Sequence, residues 1–482
     1  MEKTTHIAVI PSAGLTHLVP IIELSKRLLE LCPDFHVSCI IPTLGSPSSS
    51  TIAYLQTLPS NIHPIFLPPV HEKDINAPQK DQPPHIAVQV QRVVTLSLPF
   101  IHEELESLIS RYGLVALVAD TFALEALDIA SELNILSYVY CPFSAMAVSL
   151  YLYAPKLEKK ISLEFRDLRD PIEMPGCVRI QGRDLIDSLQ DRSNIVYKQF
   201  LERCRRINLA DGVLFNSFPE LETETIKALQ EEFKGKKPQI YPIGPILQNG
   251  SLSRSDEQNN NGSDCLKWLN NQRPRSVLYV SFGSGGTVSQ DQLNELALGL
   301  ELSGKKFLWV VRAPSKFTSA AYLDTSNDLN PLDFLPEGFL ERTKEKGFVI
   351  TSWAPQIQIL SHSSTGGFLS HCGWNSVLES VQNGVPLIAF PLFGEQRMNA
   401  VLVTDGLKVG LRPKVNEKGL VEREDIAKLV KSLMEGEEVK EIHARMKDLR
   451  DASADALREF GSSAKTLCEV ALKWKDLGGI GK

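Results

Sequence analysis

The stretch HIAVIPSAGLTHLVPIIELSKRLLELCPDFHVSCIIPT, His6 to Thr43, decides the fold class. His6 to Pro11 is short and apolar, the pattern of a buried strand. Leu18 to Leu31 then places Leu18, Ile21, Ile22, Leu24, Leu28 and Leu29 on one stripe of a helix, and Phe35 to Thr43 is strand-like again. Strand, turn, helix, strand is the unit of a parallel sheet, because parallel neighbours need a crossover and the crossover helix covers the sheet face. The apolar runs Leu114 to Val118 and Ile135 to Tyr140, separated by a helical stretch, continue the alternation.

Farther along, Pro242, Gly244 and Pro245 lead into Asn249 to Gly262, a polar run that cannot bury enough apolar surface to order itself. Beyond it the alternation restarts. Ser276 to Phe282 reads as a strand, Ser289 to Leu302 as a helix, and Phe307 to Arg312 as the next strand. Ser289 with Gln292 three residues on forms a capping-box pattern behind Val288. The expected fold class is α/β, with two Rossmann-like, doubly wound domains facing a central cleft and ligands at the carboxyl ends of the strands. Residues 1–245 and 266–456 are the two domains and 246–265 the linker; 457–482, helical from Leu457 to Trp474, returns to the first domain. A length of 482 residues suits two cores better than one.

Composition excludes several classes. The 51 basic and 58 acidic residues give a net charge of −7 without a long block of either sign, so no grip on nucleic acid is expected. Met1 to Ile10 has no signal-peptide pattern, and no apolar run is long enough to cross a bilayer. A cytoplasmic protein without membrane insertion is expected. The eight cysteines lack C-x-x-C spacing and read as reduced. Oligomeric state is not legible.

The densest chemistry lies between Trp353 and Gln396. Gly366 to Ser370 reads as a buried strand, and His371-Cys-Gly-Trp-Asn-Ser376 as a tight turn feeding a helix over Val377 to Val381. Asn375 and Ser376 are good helix starters, and an exposed helix amino terminus offers N–H groups and a positive dipole end to a diphosphate. His371 is placed to add a charge-assisted hydrogen bond to the same phosphates. Glu379, one turn into the helix, suits ribose hydroxyls, and Trp353 offers a flat face to a base. Each residue alone reads as a cap, a core tryptophan or a surface acid; their combination reverses that balance. Ser281-Phe-Gly-Ser-Gly-Gly-Thr287 also joins a strand to a helix, with Ser284 as its hydroxyl contact.

Trp353-Ala-Pro-Gln356 through His371-Cys-Gly-Trp-Asn-Ser376 and Glu379 to Glu395-Gln396 resembles the signature box of plant secondary-product UDP-glycosyltransferases, the family 1 enzymes of GT-B fold. The resemblance implies that Trp353 stacks on uracil, that Gln356 and Glu379 hold the ribose, and that His371, Asn375 and Ser376 bind the diphosphate. It further implies that Trp374, Glu395 and Gln396 hold the sugar, with Ala354 and Gly373 completing the donor set. A final glutamine, here Gln396, goes with glucose in that family. Phe390 departs from the box, which more often has tryptophan there, and a packing adjustment is expected. Met174 to Val178 and Ser276 to Pro314 are similar to the subgroup that contains hydroquinone glucosyltransferase, which implies simple phenols, phenylpropanoids, coumarins or indolic hydroxyls as acceptors.

Transfer to a hydroxyl needs a base, and histidine titrates in the right range. His17 lies in the turn after the first strand, and Asp120 ends the run Leu114 to Ala119 at the same sheet edge, where it can orient the imidazole. By similarity to the family, both fall where its catalytic dyad lies. Thr16 departs from the family's glycine; it either caps the helix or narrows the space beside His17. A single in-line displacement then inverts the anomeric carbon and yields a β-glucoside and UDP. No Asp-x-Asp pair occurs in the chain, so no metal requirement is expected. Phe122, Tyr140 and Phe143 either line the acceptor pocket or are ordinary core. A nicotinamide-dependent oxidoreductase is disfavoured because Val288 replaces the third glycine after Gly283 and Gly285, and Arg312 stands where an acid should hold the ribose. A non-catalytic nucleotide-sugar-binding protein is the other rival.

Overall fold

Seven strands build the first sheet: β1 Thr5–Ile10, β2 Phe35–Ile41, β3 Ile62–Phe66, β4 Ala116–Asp120, β5 Leu136–Cys141, β6 Gly212–Phe215 and β7 Gln239–Pro242. They run parallel in the order β3-β2-β1-β4-β5-β6-β7. The computed structural model describes residues 4–75, 86–248, 261–315, 329–351, 353–437 and 439–480. Of the expected linker, residues 249–260 lie outside the described residues.

The first helix spans Leu15–Leu31 and buries Leu18, Ile21, Ile22, Leu24 and Leu28 on the expected stripe against β1 and β2. It starts three residues earlier than periodicity suggests, so Thr16 and His17 lie in its first turn and not in a preceding loop. The apolar pattern is weak there because only Leu15 of the first three residues packs against the core. The C-terminal helix Ser462–Ile480 adds Leu467, Val470, Ala471 and Trp474 to the same core, with the Trp474 ring 5.2 Å from that of Tyr138.

The second sheet holds β8 Val277–Ser281, β9 Lys306–Val310, β10 Gly347–Ile350, β11 Thr365–Ser370, β12 Leu387–Ala389 and β13 Gly410–Leu411. Its order is β10-β9-β8-β11-β12-β13, again parallel. The helix after β8, Gln290–Ser303, is capped by Ser289, whose hydroxyl accepts from the Gln292 N–H at 3.2 Å. Only half of the expected capping box forms. The Gln292 amide exchanges two hydrogen bonds with the backbone of Val421 instead, tying this helix to the chain before the helix Arg423–Glu435.

The chain divides into two compact units. One comprises Met1–Arg179, Ser188–Arg254 and Asp455–Lys482, the other Ile180–Asp187 and Ser255–Ala454. In the first, strand order reverses between β1 and β4, and in the second between β8 and β11. Such reversals splay the crossover helices to opposite faces and leave room for ligands at the strands' carboxyl ends. Among the described residues, no helix is long and apolar enough to cross a membrane. No disulfide joins any of the eight cysteines.

Candidate active site

At the β1/β4 reversal the chain leaves β1 through Pro11 and Ser12 and turns at Gly14, whose φ of 108° disfavours any residue with a Cβ. The Gly14 carbonyl accepts from the N–H groups of His17 and Leu18, which opens the helix and projects the His17 ring. Its Nδ1 lies 3.3 Å from Oδ2 of Asp120, the buried last residue of β4. The other oxygen, Oδ1, accepts from the Ser12 hydroxyl and from the Phe122 N–H at 3.0 Å. Burial alone would raise the Asp120 pKa, but His17, Ser12 and the Phe122 N–H outweigh it and hold it below the usual carboxylate value. An ionised carboxylate only accepts, so Nδ1 carries a proton, and in the neutral ring that leaves the lone pair on Nε2. That is the tautomer a base needs.

Sequence alone misses Ser12 and Arg203 at this site. The Phe122 ring meets His17 edge-on at 5.4 Å, and the buried Arg203 guanidinium sits 4.4 Å over Phe122. Arg203 also donates to Gln91 Oε1 at 3.4 Å. Neither residue belongs to a recognisable motif, and contacts across more than 80 positions leave no local signal. Tyr140 is a fully buried core residue, and Phe143 stacks on Tyr151 at 5.1 Å. Thr16 is exposed in the first helical turn and is no cap: Gly14 holds that position without a side-chain bond.

At the β8/β11 reversal the turn after β11 places Cys372 in the left-handed region, φ 62°, with its N–H bound to the Ser370 hydroxyl at 3.1 Å. This sharp turn lets the helix begin at once, at Trp374 with Gly373 as its cap, and it runs to Asn383. Asn375 and Ser376 therefore lie inside the first turn and are not the caps expected from their residue types. Their backbone N–H groups are among those a helix leaves free at its amino end.

His371 sits between two glycines. A Cβ on Gly283 of the β8 loop, or on Gly373, would fall 2.5 Å from its Nε2, so both positions must lack a side chain for the ring to lie there. Burial, with the Arg312 charge adding to it, pushes the His371 pKa down to about 4. At neutral pH the ring is therefore a neutral donor, and a bond from it to a diphosphate is charge-assisted through the phosphate alone. The fixed positive charge of the site is Arg312, whose guanidinium donates to the Ser284 carbonyl of the β8 loop. Arg312 figured in the sequence only as a missing acid.

Gln356 opens the short helix Gln356–Ser361 and joins three groups. Its amide nitrogen donates to Ser376 Oγ at 2.9 Å and to Glu379 Oε2 at 2.6 Å, while its oxygen accepts from Tyr279 at 3.2 Å. Burial raises the Glu379 carboxyl to about 7, with the Gln356 bond opposing the rise. Trp353 is 47% exposed, while Ala354 is buried. On the turn after β12, Gln396 is buried and its Oε1 accepts from the N–H groups of Leu392 and Phe393, so toward a ligand its amide can only donate. The buried Asn399 donates to the Cys372 carbonyl at 3.0 Å, and its N–H binds the Glu395 carbonyl at 3.0 Å, linking the two turns. Trp374 is buried, and Phe390 packs edge-on against Phe282 at 5.7 Å.

Residues 219–452 match the family model for UDP-glucoronosyl and UDP-glucosyl transferase. The chain is 48% identical to hydroquinone glucosyltransferase of Rauvolfia serpentina over 477 residues, 99% of each chain. The chain belongs to the UDP-glycosyltransferase family. Among solved structures, UGT2 of Phytolacca americana complexed with UDP-2fluoro-glucose and pterostilbene is 43% identical, with a TM-score of 0.87 over 98% of this chain and 100% of that one. A UDP-glucosyltransferase from Polygonum tinctorium capable of glucosylating indoxyl, in a complex with 3,4-dichloroaniline, is 45% identical, with a TM-score of 0.88 over 98% and 99%. This UDP-glycosyltransferase thus has the GT-B fold of its family, in agreement with the resemblance read from its signature box.

Proposed function

We propose that this UDP-glycosyltransferase transfers glucose from UDP-glucose to the hydroxyl of a small aromatic acceptor, with inversion, to give a β-glucoside and UDP. The observation that carries the proposal is the His17–Asp120 pair, a base held in its proton-accepting tautomer by a buried ionised carboxylate. His17 Nε2 takes the acceptor's hydroxyl proton while the oxygen attacks the anomeric carbon in line with the departing UDP. Asp120 stabilises the imidazolium that results. The acceptor class is supported by relatives whose names or complexes involve hydroquinone, indoxyl and pterostilbene.

In the same proposal the diphosphate sits on the amino end of the helix Trp374–Asn383, against Asn375 and Ser376, with neutral His371 donating and Ser284 closing from the other loop. The Arg312 charge and the helix dipole stabilise the leaving group, which makes a metal ion unnecessary. Trp353 stacks on uracil beside Ala354. Gln356 and Glu379 take the ribose, Gly373 leaves room for His371, and Trp374, Glu395 and Gln396 take the glucose. We place the enzyme in the cytoplasm, where eight cysteines outside any disulfide stay reduced.

The test is a chelator-treated, mass-detected assay of wild type and His17→Ala with UDP-glucose and a panel of phenols, a coniferyl-type alcohol, a hydroxycoumarin and indoxyl. The expected result is one added hexose, formed at least about 100-fold more slowly by the variant. UDP binding without product from any acceptor would favour the non-catalytic rival.

A further inference from the structure

The segment Ile180–Asp187 comes from the first half of the sequence yet belongs to the second unit. Two ion pairs fasten it there: Asp184 to Arg412 at 2.6 Å and Asp187 to Arg397 at 2.7 Å. Asp187 does more than pair. Its Oδ2 accepts from the Gly394 N–H at 2.7 Å, and its own N–H donates to the Gly394 carbonyl at 3.4 Å. Gly394, at φ 66°, lies in the turn between Phe393 and Glu395. Gln396 already binds the N–H groups of Leu392 and Phe393. All three consecutive amides, 392 to 394, thus end on side-chain oxygens, and the third is supplied by Asp187.

We propose that Asp187 is a positioning residue for the hexose end of the donor site. The inference rests on Glu395 and Gln396 binding the sugar. Gln396 can only donate there, because its oxygen is occupied, whereas the Glu395 carboxyl oxygens supply acceptors. A donor and an acceptor read a ring of hydroxyls correctly only when their spacing is fixed, and the two project from one turn that Asp187 holds by its apex. Arg397, in the first turn of the helix Gln396–Val401, pairs with Oδ1 of Asp187 and so aims Oδ2 at the Gly394 N–H. None of these contacts involves Trp353, Gln356, His371 or Ser376, so Asp187 acts on the sugar and not on UDP.

The experiment compares wild type, Asp187→Ala and Asp187→Asn, titrating UDP by calorimetry and measuring kcat/KM with UDP-glucose and UDP-galactose. For Asp187→Ala we expect a UDP Kd within about twofold of wild type, a loss of about 10- to 100-fold with UDP-glucose, and a smaller preference for glucose over galactose, as a misplaced contact shell predicts. Asp187→Asn, which keeps an acceptor for the Gly394 N–H, should recover much of the loss. Unchanged UDP binding would show that the alanine variant is folded. Equal loss of UDP and UDP-glucose, or an unchanged sugar preference, would overturn the positioning role. A wild type that does not distinguish the two sugars would instead remove the reading of Glu395 and Gln396, and this inference with it.

Discussion

The two units share one topology and use the same place in it for opposite electrostatics. At the β1/β4 reversal a strand ends in Asp120, an ionised carboxylate that fixes the tautomer of His17. At the β8/β11 reversal the strand β11 is followed by His371, which faces the Arg312 charge and is held neutral. The carboxylate near that second site, Glu379, is not lowered but raised, to about 7. Parallel sheets supply a position for ligands, and the neighbours at that position decide whether a histidine there takes a proton or only donates a hydrogen bond.

The sharpest way to break this comparison is to make one substitution at both histidines. Glutamine donates and accepts hydrogen bonds but cannot take up a proton. His17→Gln should therefore lower kcat at least about 100-fold, the contribution of a positioned base. His371→Gln keeps a donor for the diphosphate and should cost no more than about tenfold in kcat/KM for UDP-glucose, less than the full worth of a hydrogen bond to a charged group. Steady-state kinetics with one phenolic acceptor measures both. Equal losses would mean that the two histidines do the same work.

The difference in legibility between the two sites has a physical cause. The donor residues from Trp353 to Gln396 lie on consecutive turns of one supersecondary unit, so their spacing is local and the motif can be read directly. His17 and Asp120 are 103 positions apart, and only the rule that parallel strands end on one edge brings them together. β1, β2, β4, β5, β8, β9 and β11 were legible because buried parallel strands are short apolar runs; β3 was not, since Ile62–Phe66 carries His63 and Pro64 on an exposed edge, and β6, β7, β10, β12 and β13, of two to four residues, are too short to show a pattern. Ser12, Arg203, Arg312 and Asp187 were missed as site residues because each acts through partners distant in sequence. The protonation state of His371 was not legible because burial and Arg312, not residue type, decide it.

A smaller effect separates the buried Asp120 from the half-buried Glu379. Glu379 ordinarily titrates near 4.5 but near 7 in the folded protein, so between those values the unfolded chain releases a proton that the fold retains. Stability from this group therefore falls as pH rises through that window, by at most about 3 kcal/mol. Asp120 behaves in the opposite sense: its lowered pKa stabilises the fold above the usual carboxylate range, and that gain is lost as pH falls toward its folded pKa. Urea midpoints at pH 5 and pH 8 test both. Glu379→Gln should gain on wild type as pH rises, and Asp120→Asn should lose more at pH 8 than at acid pH. Parallel pH profiles for the two variants would contradict the assignment.

The least disruptive probe is Thr16→Gly. Thr16 is exposed in the first turn of Leu15–Leu31, and the His17 N–H is bound by Gly14, not by the Thr16 side chain. Glycine in that turn should cost under about 1 kcal/mol of stability through added unfolded-state freedom. Because Asp120 and Gly14 orient the base, kcat with an unsubstituted phenol should stay close to that of wild type. Acceptors substituted beside the reacting hydroxyl should bind more tightly, as removal of the side chain widens the space next to His17. A fall in kcat with the simple phenol would instead mean that Thr16 helps hold the turn from which the imidazole projects, and the first site would then depend on its helix start as closely as the second depends on the turn at Cys372.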